Sequence, residues 1–384
     1  MPKGATGAIP AILFLPTAGS TRAEHWLARA RVAAAADLLD RLASAGYDPL
    51  AVLAAEPGDR EILARQGVRL LPEGKPPFHF GRTLARIVDE QGFTGLAYFG
   101  GASAPLADEP SLAGWLGQAR ELPPDGALVN NLHSTDWVIV RDARRLIPLA
   151  DRLPTDNALG WVLREAGSAV TEVPPTTGSR TDFDTPGDLA LIRNHPALGA
   201  RLRQALDPFP EGLGRKTERL RDILLTPAAS VALIGRVSDV AWREMVSRAQ
   251  IWARVYAEER GMRASGRQQR GEVRSLIADL VDESGPAVFV ERLRSMVQAA
   301  VWDTRVWMAR RGDWPSAGDR MASDLGWSED VEDVGLRRLT QAVEAGDIPI
   351  LTGGHGVVSG SLVAFLETLF PDHQEARPPK APPR

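Results

Sequence analysis

Asp182-Phe183-Asp184-Thr185-Pro186-Gly187-Asp188-Leu189 is the stretch on which the reading of this chain turns. Pro186 suits the first turn of a helix, where its missing N–H is no loss, and Thr185 before it is a good N-cap residue. Asp182 and Asp184 therefore stand at alternate positions of an extended segment that runs into a capped helix. Two carboxylates so placed suit a hard cation such as Mg2+. They suit equally well a loop and the positive end of a helix dipole.

Upstream, short apolar runs alternate with helical spacings. Ile9 to Leu15 reads as a strand, and Glu24 to Ala45 as a helix with Leu27, Ala30, Ala34, Leu38 and Leu42 on one face, stopped by Gly46. Leu50 to Ala55 and Val68 to Leu71 read as strands around a short helix, Asp59 to Gln66. Arg82 to Gln91 is a helix closed by Gly92, and Gly95 to Phe99 a strand. Ser111 to Arg120 is a helix that Ser111 can cap, and Ala127 to Asn131 and Trp137 to Arg141 are strands. This alternation predicts an α/β domain over 8–195, a mostly parallel sheet covered by helices. In such sheets ligands sit beyond the carboxyl ends of the strands.

Residues 193 to 215 break the pattern with Pro196, Pro208, Pro210, Gly212 and Gly214. Beyond them the spacing predicts a mainly α-helical domain over 216–370. Asp239 to Arg260 carries Trp242, Met245, Ala249, Trp252 and Tyr256 at helical intervals. Further helices are expected near 272–283, 286–311, 317–325, 331–345 and 357–369, with Ile348 to Leu351 as a strand. The proline-rich residues 371–384 read as a disordered tail.

At ~150 residues per domain, a length of 384 residues suggests two to three domains. Cysteine is absent, which excludes disulfides, thiolate metal sites and cysteine nucleophiles. It fits a cytoplasmic setting. No apolar run reaches the ~20 residues of a membrane helix, and a net charge of −4 points to neither nucleic acid nor an acidic membrane as partner. Lysine occurs only at Lys3, Lys75, Lys216 and Lys380, and the other 41 of 45 basic residues are arginine. Bound anions should therefore be held by guanidinium forks and backbone amides. The second half is polarised: 13 basic and 7 acidic residues lie in 215–275, against 8 and 14 in 278–347. That pattern reads either as complementary helices or as a basic surface at Arg260 to Arg274.

Two loops join Asp182 and Asp184 as candidates. Pro16-Thr17-Ala18-Gly19-Ser20-Thr21-Arg22 connects the first strand to the first helix, where exposed N–H groups, hydroxyls and one arginine would suit phosphate. A plain helix cap at Ser20 or Thr21 explains it as well. Tyr98-Phe99-Gly100-Gly101-Ala102-Ser103-Ala104-Pro105-Leu106 ends a strand in two glycines that let a ligand approach the backbone.

Together the three stretches resemble the nucleotidyltransferase superfamily with the glycosyltransferase-A-like fold. They are most similar to the molybdenum cofactor guanylyl- and cytidylyltransferases and the 2-phospho-L-lactate guanylyltransferases. Leu15 to Arg22 resembles that family's Leu-Ala-Gly-Gly-x-Ser-x-Arg loop, and Gly101 to Leu106 its Gly-Asp-x-Pro-Leu motif. Asp182 to Leu189 matches Asp-x-Asp-Thr-Pro-x-Asp-Leu at every fixed position. The resemblance covers roughly residues 8 to 195. It implies Mg2+-dependent transfer of a nucleoside monophosphate from a nucleoside triphosphate to a phosphorylated small molecule. Gly19, Ser20, Thr21, Arg22, Gly100, Gly101 and Ser103 would then contact nucleotide, Asp182 and Asp184 would bind the metal, and Arg22 and Asp184 would act in catalysis. Asn130, Asn131, His133 and Asp136 would meet the acceptor.

The chain departs from the family at two points. Ser103 stands where the family places a metal-binding aspartate, so a second carboxylate, Asp108 or Glu109, is expected to supply the charge if the protein is an enzyme. Leu27 stands where a lysine is expected, with Arg29 and Arg31 nearby as replacements. A non-catalytic ligand-binding protein and a nucleotide-sugar glycosyltransferase are the alternative readings. In the second half, Glu258 to Arg267 and Ile348 to Gly356 are glycine-containing loops that suit either an anion or tight packing. Trp302, Trp307, Trp314 and Trp327 suit either a core or a cofactor pocket.

Overall fold

The computed structural model describes residues 8–15, 19–53, 62–64, 68–72, 77–263 and 265–371. The tail expected at 371–384 lies, after its first residue, outside the described residues, as does most of the expected helix Asp59 to Gln66. Among the described residues no helix is long and apolar enough to cross a membrane.

The N-terminal half is built on a seven-stranded sheet. Its strands are β1 (Ile9–Leu15), β2 (Tyr47–Leu53), β3 (Arg69–Pro72), β4 (Leu96–Gly100), β5 (Gly126–Val129), β6 (Trp137–Val140) and β7 (Ala169–Glu172). Their order is β3-β2-β1-β4-β6-β5-β7. All pairs are parallel except those of β6, which runs against β4 and β5. The sheet is thus mostly parallel and covered by helices, as the alternation predicts. One face packs Leu13, Leu15 and Phe99 against the helices Arg22–Ser44 and Glu109–Glu121. The other packs Ile12, Phe14 and Tyr98 against Phe80–Gln91 and Leu159–Glu165. The cap of Glu109–Glu121 is Asp108, whose carboxylate accepts from the Ser111 N–H at 2.9 Å, rather than Ser111.

Helices make up most of the C-terminal half, but they surround a second sheet that the helical spacing concealed. Strands β8 (Ser230–Gly235), β9 (Trp252–Ala257), β10 (Ala299–Asp303) and β11 (Ile350–Gly353) form an all-parallel sheet in the order β11-β10-β8-β9. The single helix expected over Asp239 to Arg260 is a helix, Asp239–Arg248, followed by the edge strand β9. The helix expected over 286–311 is likewise Pro286–Arg294, β10 and Arg305–Arg311. Of the apolar residues spaced at helical intervals, Trp242 and Trp252 are exposed, while Met245 is buried.

The helix Pro186–Ile192 joins the halves. All seven of its residues are buried. Its apolar side chains belong to one cluster that includes Trp26, Leu27 and Ala30 of the first long helix and Val231, Leu233, Val301 and Leu351 of the second sheet. Thr185 caps it as expected, in a reciprocal capping box with Asp188. At Gly187 an added Cβ would overlap the Thr352 carbonyl of β11, so only glycine allows this approach.

Gly187→Ala should therefore lower stability by about 1–3 kcal/mol through overpacking. A urea midpoint equal to that of the parent protein would show that the helix does not sit against β11. Because a single apolar cluster spans the junction, limited proteolysis should yield no stable N-terminal fragment ending within 193–220. Recovery of such a fragment in folded form would contradict the shared core.

Candidate functional site

The carboxyl ends of both sheets face one cleft of about 780 Å³ between the halves. From the first sheet come Gly100, Gly101 and Ser103 after β4, and Asp182 and Asp184 before the buried helix. An antiparallel bridge between Ser103 and Asp182 places the two stretches side by side. The Ala104 N–H donates to the Thr181 carbonyl at 3.0 Å, and the Phe183 N–H to Ala102 at 3.3 Å. Ala104 is held at φ 49°, a left-handed conformation uncommon for a non-glycine residue and a local store of strain beside the site. The glycines have packing reasons of their own: a Cβ on Gly101 would lie 2.6 Å from the Phe14 carbonyl.

Ser103 is held by its own turn. Its hydroxyl donates to the Gly100 carbonyl at 2.8 Å and closes the turn. Asp108 caps a helix, and neither it nor Glu109 lines the cleft. The carboxylates that do surround Asp182 are Asp136, Asp184 and Asp188, with Asp156 close by. Asp136 was visible in the sequence only as a possible acceptor contact. Asp188 was visible only as a fixed motif position.

This crowding sets the electrostatics of the acidic wall. Burial, then the charges of Asp136, Asp184 and Asp188, push the Asp182 carboxyl well above the usual range. Burial raises Asp136 to about 7 against the hydrogen bond that Asn130 donates to it. Burial likewise raises Asp188 to about 7 against the hydrogen bond from Thr185. Asp188 Oδ1 is buried without a hydrogen-bond partner. Tyr98 donates to Asp156 at 2.7 Å. Arg31, half-buried on the first long helix, donates to the Asp184 carbonyl at 3.3 Å and lies 3.8 Å from its carboxylate. Among the described residues no three acidic or histidine side chains converge closely enough to hold a metal by themselves.

The opposite wall comes from the C-terminal half. Arg236 follows β8, Arg305 follows β10, and Gly354, His355 and Gly356 follow β11. Arg236 holds buried Asp303 at 2.6 Å, and Arg305 grips Asp324 through two bonds of 2.8 and 2.5 Å. Burial, then Arg236, lower His355 to about 4. Arg260 to Arg263, Trp314 and Arg320 complete this wall. The two glycine-containing loops of the second half thus both reach the cleft, and so does Trp314. Trp302 and Trp307 are core residues, and Trp327 stacks under Arg22.

The first loop is placed differently. Pro16 to Ala18 lie outside the described residues. Thr21 caps the long helix in a capping box with Glu24. The Glu24 carboxylate fills the space a side chain at Gly19 would need. Arg22 turns to the C-terminal half, 2.9 Å from Asp330 and 3.9 Å over the Trp327 ring. Gly19, Ser20, Thr21 and Arg22 do not line the cleft.

No family model and no curated protein sequence matches this chain. Among solved structures it is similar to a candidate nucleotide-diphospho-sugar transferase from Desulfovibrio desulfuricans, at 15% identity over 55% of this chain and 98% of that one, with a TM-score of 0.42. It is also similar to a cytidylyltransferase from Leptospira borgpetersenii, at 16% identity over 53% and 95%, with a TM-score of 0.38. A third likeness is to a CMP:2-keto-3-deoxy-manno-octonic acid synthetase solved with CTP, at 14% identity over 47% and 95%, with a TM-score of 0.34. These structures are of the class that the sequence motifs resemble. Likenesses of this size are too distant to bear on function.

The raised Asp188 gives a pH test. In the folded protein it binds its proton up to about pH 7, whereas unfolded it releases it near pH 4. Its contribution to stability is therefore present at low pH and lost as pH rises toward 7. His355 acts oppositely, adding stability between about 4 and its unfolded value near 6.5. Asp188→Asn keeps the acceptor for Thr185 and removes the titration. In metal-free buffer the melting temperature of the variant relative to the parent should rise from pH 5 to pH 8. A difference independent of pH would refute the raised pKa.

Proposed function

We propose that this cleft is a nucleotidyl-transfer site, using a nucleoside triphosphate, Mg2+ and a phosphorylated small-molecule acceptor. The observation that carries the reading is the Ser103–Asp182 bridge. It sets the strand-end turn and the Asp182-x-Asp184 pair side by side, facing a wall of arginines.

The donor set suits a divalent cation. Asp182 lies among three other carboxylates, an arrangement whose mutual repulsion a cation would relieve. Asp182 and Asp184 would hold the metal, with Asp136 adding negative charge nearby. One or two carboxylates plus substrate phosphates is an ordinary Mg2+ environment. When bound, Mg2+ supplies charge neutralisation on phosphate oxygens.

The chain's own residues orient and shield. Arg31 steadies Asp184 through its carbonyl. The polar loop residues Asn131, His133, Ser134 and Asn157 give the acceptor hydrogen-bonding groups along one rim. The acceptor phosphate oxygen would form a bond to the α-phosphorus while the α–β bridging P–O bond breaks and pyrophosphate leaves. Such a reaction needs positioning and charge stabilisation rather than a protein nucleophile.

Thermal shift with each of the four nucleoside triphosphates, with and without Mg2+, tests this. One triphosphate should stabilise the protein, by about 2.7 kcal/mol at 100 times Kd, and only with Mg2+ present. Calorimetry should find measurable Mg2+ binding only when nucleotide is there. Asp182→Asn and Asp184→Asn should abolish the Mg2+ dependence. Nucleotide binding indifferent to Mg2+ and to both substitutions would replace this reading with that of a non-catalytic binding protein.

A further inference from the structure

The first loop leaves a charge unaccounted for. On the nucleotidyl-transfer reading a triphosphate tail needs cations, and Arg22, the arginine of the first loop, points elsewhere, into Asp330 and Trp327. The helix that covers this position is Ala317–Leu325 of the C-terminal half. At Gly318 it lies directly against Thr21, with room for no side chain between them. Ala317, Arg320 and Met321 from this helix line the cleft. Arg320 is close enough to Glu24, next to the Thr21 cap, to feel its charge. A guanidinium from the second half therefore lies near the first loop.

Most cleft arginines already have a counterion. Arg236 has Asp303, Arg305 has Asp324, and Arg180 has Glu172 at 3.0 Å. Arg260 reaches Asp239 at 3.3 Å. Arg263 and Arg320 differ. Arg320 donates to the Pro315 carbonyl and stacks 5.0 Å over Trp314. Among the described residues neither it nor Arg263 has a carboxylate partner. Arg320 also sits beside Arg305 and Arg263, and burial followed by those two like charges lowers its pKa to about 10. Half-buried Arg320 and exposed Arg263, crowded together without a carboxylate partner, form a standing site for an anion.

Building on the nucleotidyl-transfer reading, we propose that Arg320 and Arg263 form the binding site for the pyrophosphate end of the nucleoside triphosphate, in place of the Gly19–Arg22 loop. The C-terminal half then supplies half of the substrate site rather than a separate function. Asp182 and Asp184 would face the α-phosphate from the opposite wall. Arginine suits the task because its planar fork meets two phosphate oxygens at once.

Inorganic pyrophosphate is the probe, titrated calorimetrically into the full chain at low ionic strength without metal. The parent protein should bind it, and tighter than orthophosphate. Arg320→Gln with Arg263→Gln should weaken binding about ten- to hundredfold, the range for losing charged hydrogen bonds. Arg263→Gln alone changes an exposed residue and should show part of the loss with an unchanged melting temperature, which separates binding from folding. Asp182→Asn should leave pyrophosphate affinity intact while removing the Mg2+-dependent nucleotide response. Failure of the arginine site and failure of the transfer reading are thereby distinguishable. No pyrophosphate binding by the parent, unchanged affinity in the arginine variants, or equal affinity for orthophosphate would overturn the proposal. So would simultaneous binding of pyrophosphate and nucleoside triphosphate, since one must exclude the other.

Discussion

Every feature of the cleft depends on how closely the helix Pro186–Ile192 approaches strand β11. The helix is buried on all sides, and at Gly187 its backbone touches the Thr352 carbonyl. Its N-terminal cap, Thr185 with Asp188, is also the end of the segment that carries Asp182 and Asp184. The contact that joins the two halves is therefore the contact that positions the acidic pair. The C-terminal half reinforces it from two further points. The Ser361 hydroxyl donates to the Asp182 carbonyl at 3.3 Å, and Gly356 leaves space for the Asp188 carboxylate. Displacing the second sheet would move Asp182 and Asp188 with it, so the two halves cannot be energetically independent.

The N-terminal half was legible because its strands and helices differ sharply in spacing and are punctuated by glycines. Gly92 ends its helix in the left-handed conformation expected of a C-cap, and Thr185-Pro186 starts one as its chemistry dictates. The second sheet was hidden for a physical reason. Strands β8 and β10 are covered on both faces and read as short continuous apolar runs, which periodicity cannot distinguish from pieces of a buried helix, whereas β11 falls where Ile348 to Leu351 was expected as a strand. Trp252 and Tyr256 stand four residues apart, which fits one helical face and equally one face of a strand. The exposed Trp252 removes the helix reading, but exposure is a tertiary property that local spacing does not carry.

The site was legible in part, along the same division. Asp182, Asp184, Ser103 and the strand-end glycines come together because each follows or precedes a strand at one edge of one sheet, which is what the alternation implies. Asp136 and Asp156 join them from loops separated by β6 and a 3₁₀ segment, and no local pattern marks them as neighbours of Asp182. The convergence of the arginine wall could not be read from the order of residues, since it depends on a second sheet pointing its carboxyl ends at the first. The uneven charge of residues 215–275 and the two glycine-containing loops, Glu258 to Arg267 and Ile348 to Gly356, were its traces. Arg22 shows the converse. Its motif position is right, but a partner more than three hundred residues away holds its side chain.

The cleft stays open because its opposite charges are held apart by their own backbones. Asp182 is pinned by its bridge to Ser103, Asp188 by its place in the cap, and Arg236 and Arg305 by Asp303 and Asp324. Exposed Asp184 has its near cation, Arg31 at 3.8 Å, on its own side of the cleft. For Arg236 or Arg305 to reach across would require breaking a buried pair, and leaving a buried charge unpaired costs about 3–5 kcal/mol. The walls therefore keep like charges together, a condition each tolerates poorly, as the raised Asp182 and the lowered Arg320 both register. A ligand that brings a cation to one side and an anion to the other relieves both at once. A metal-bound polyphosphate has that composition. A neutral ligand would relieve neither wall, which supports the proposed phosphorylated substrate over an uncharged one.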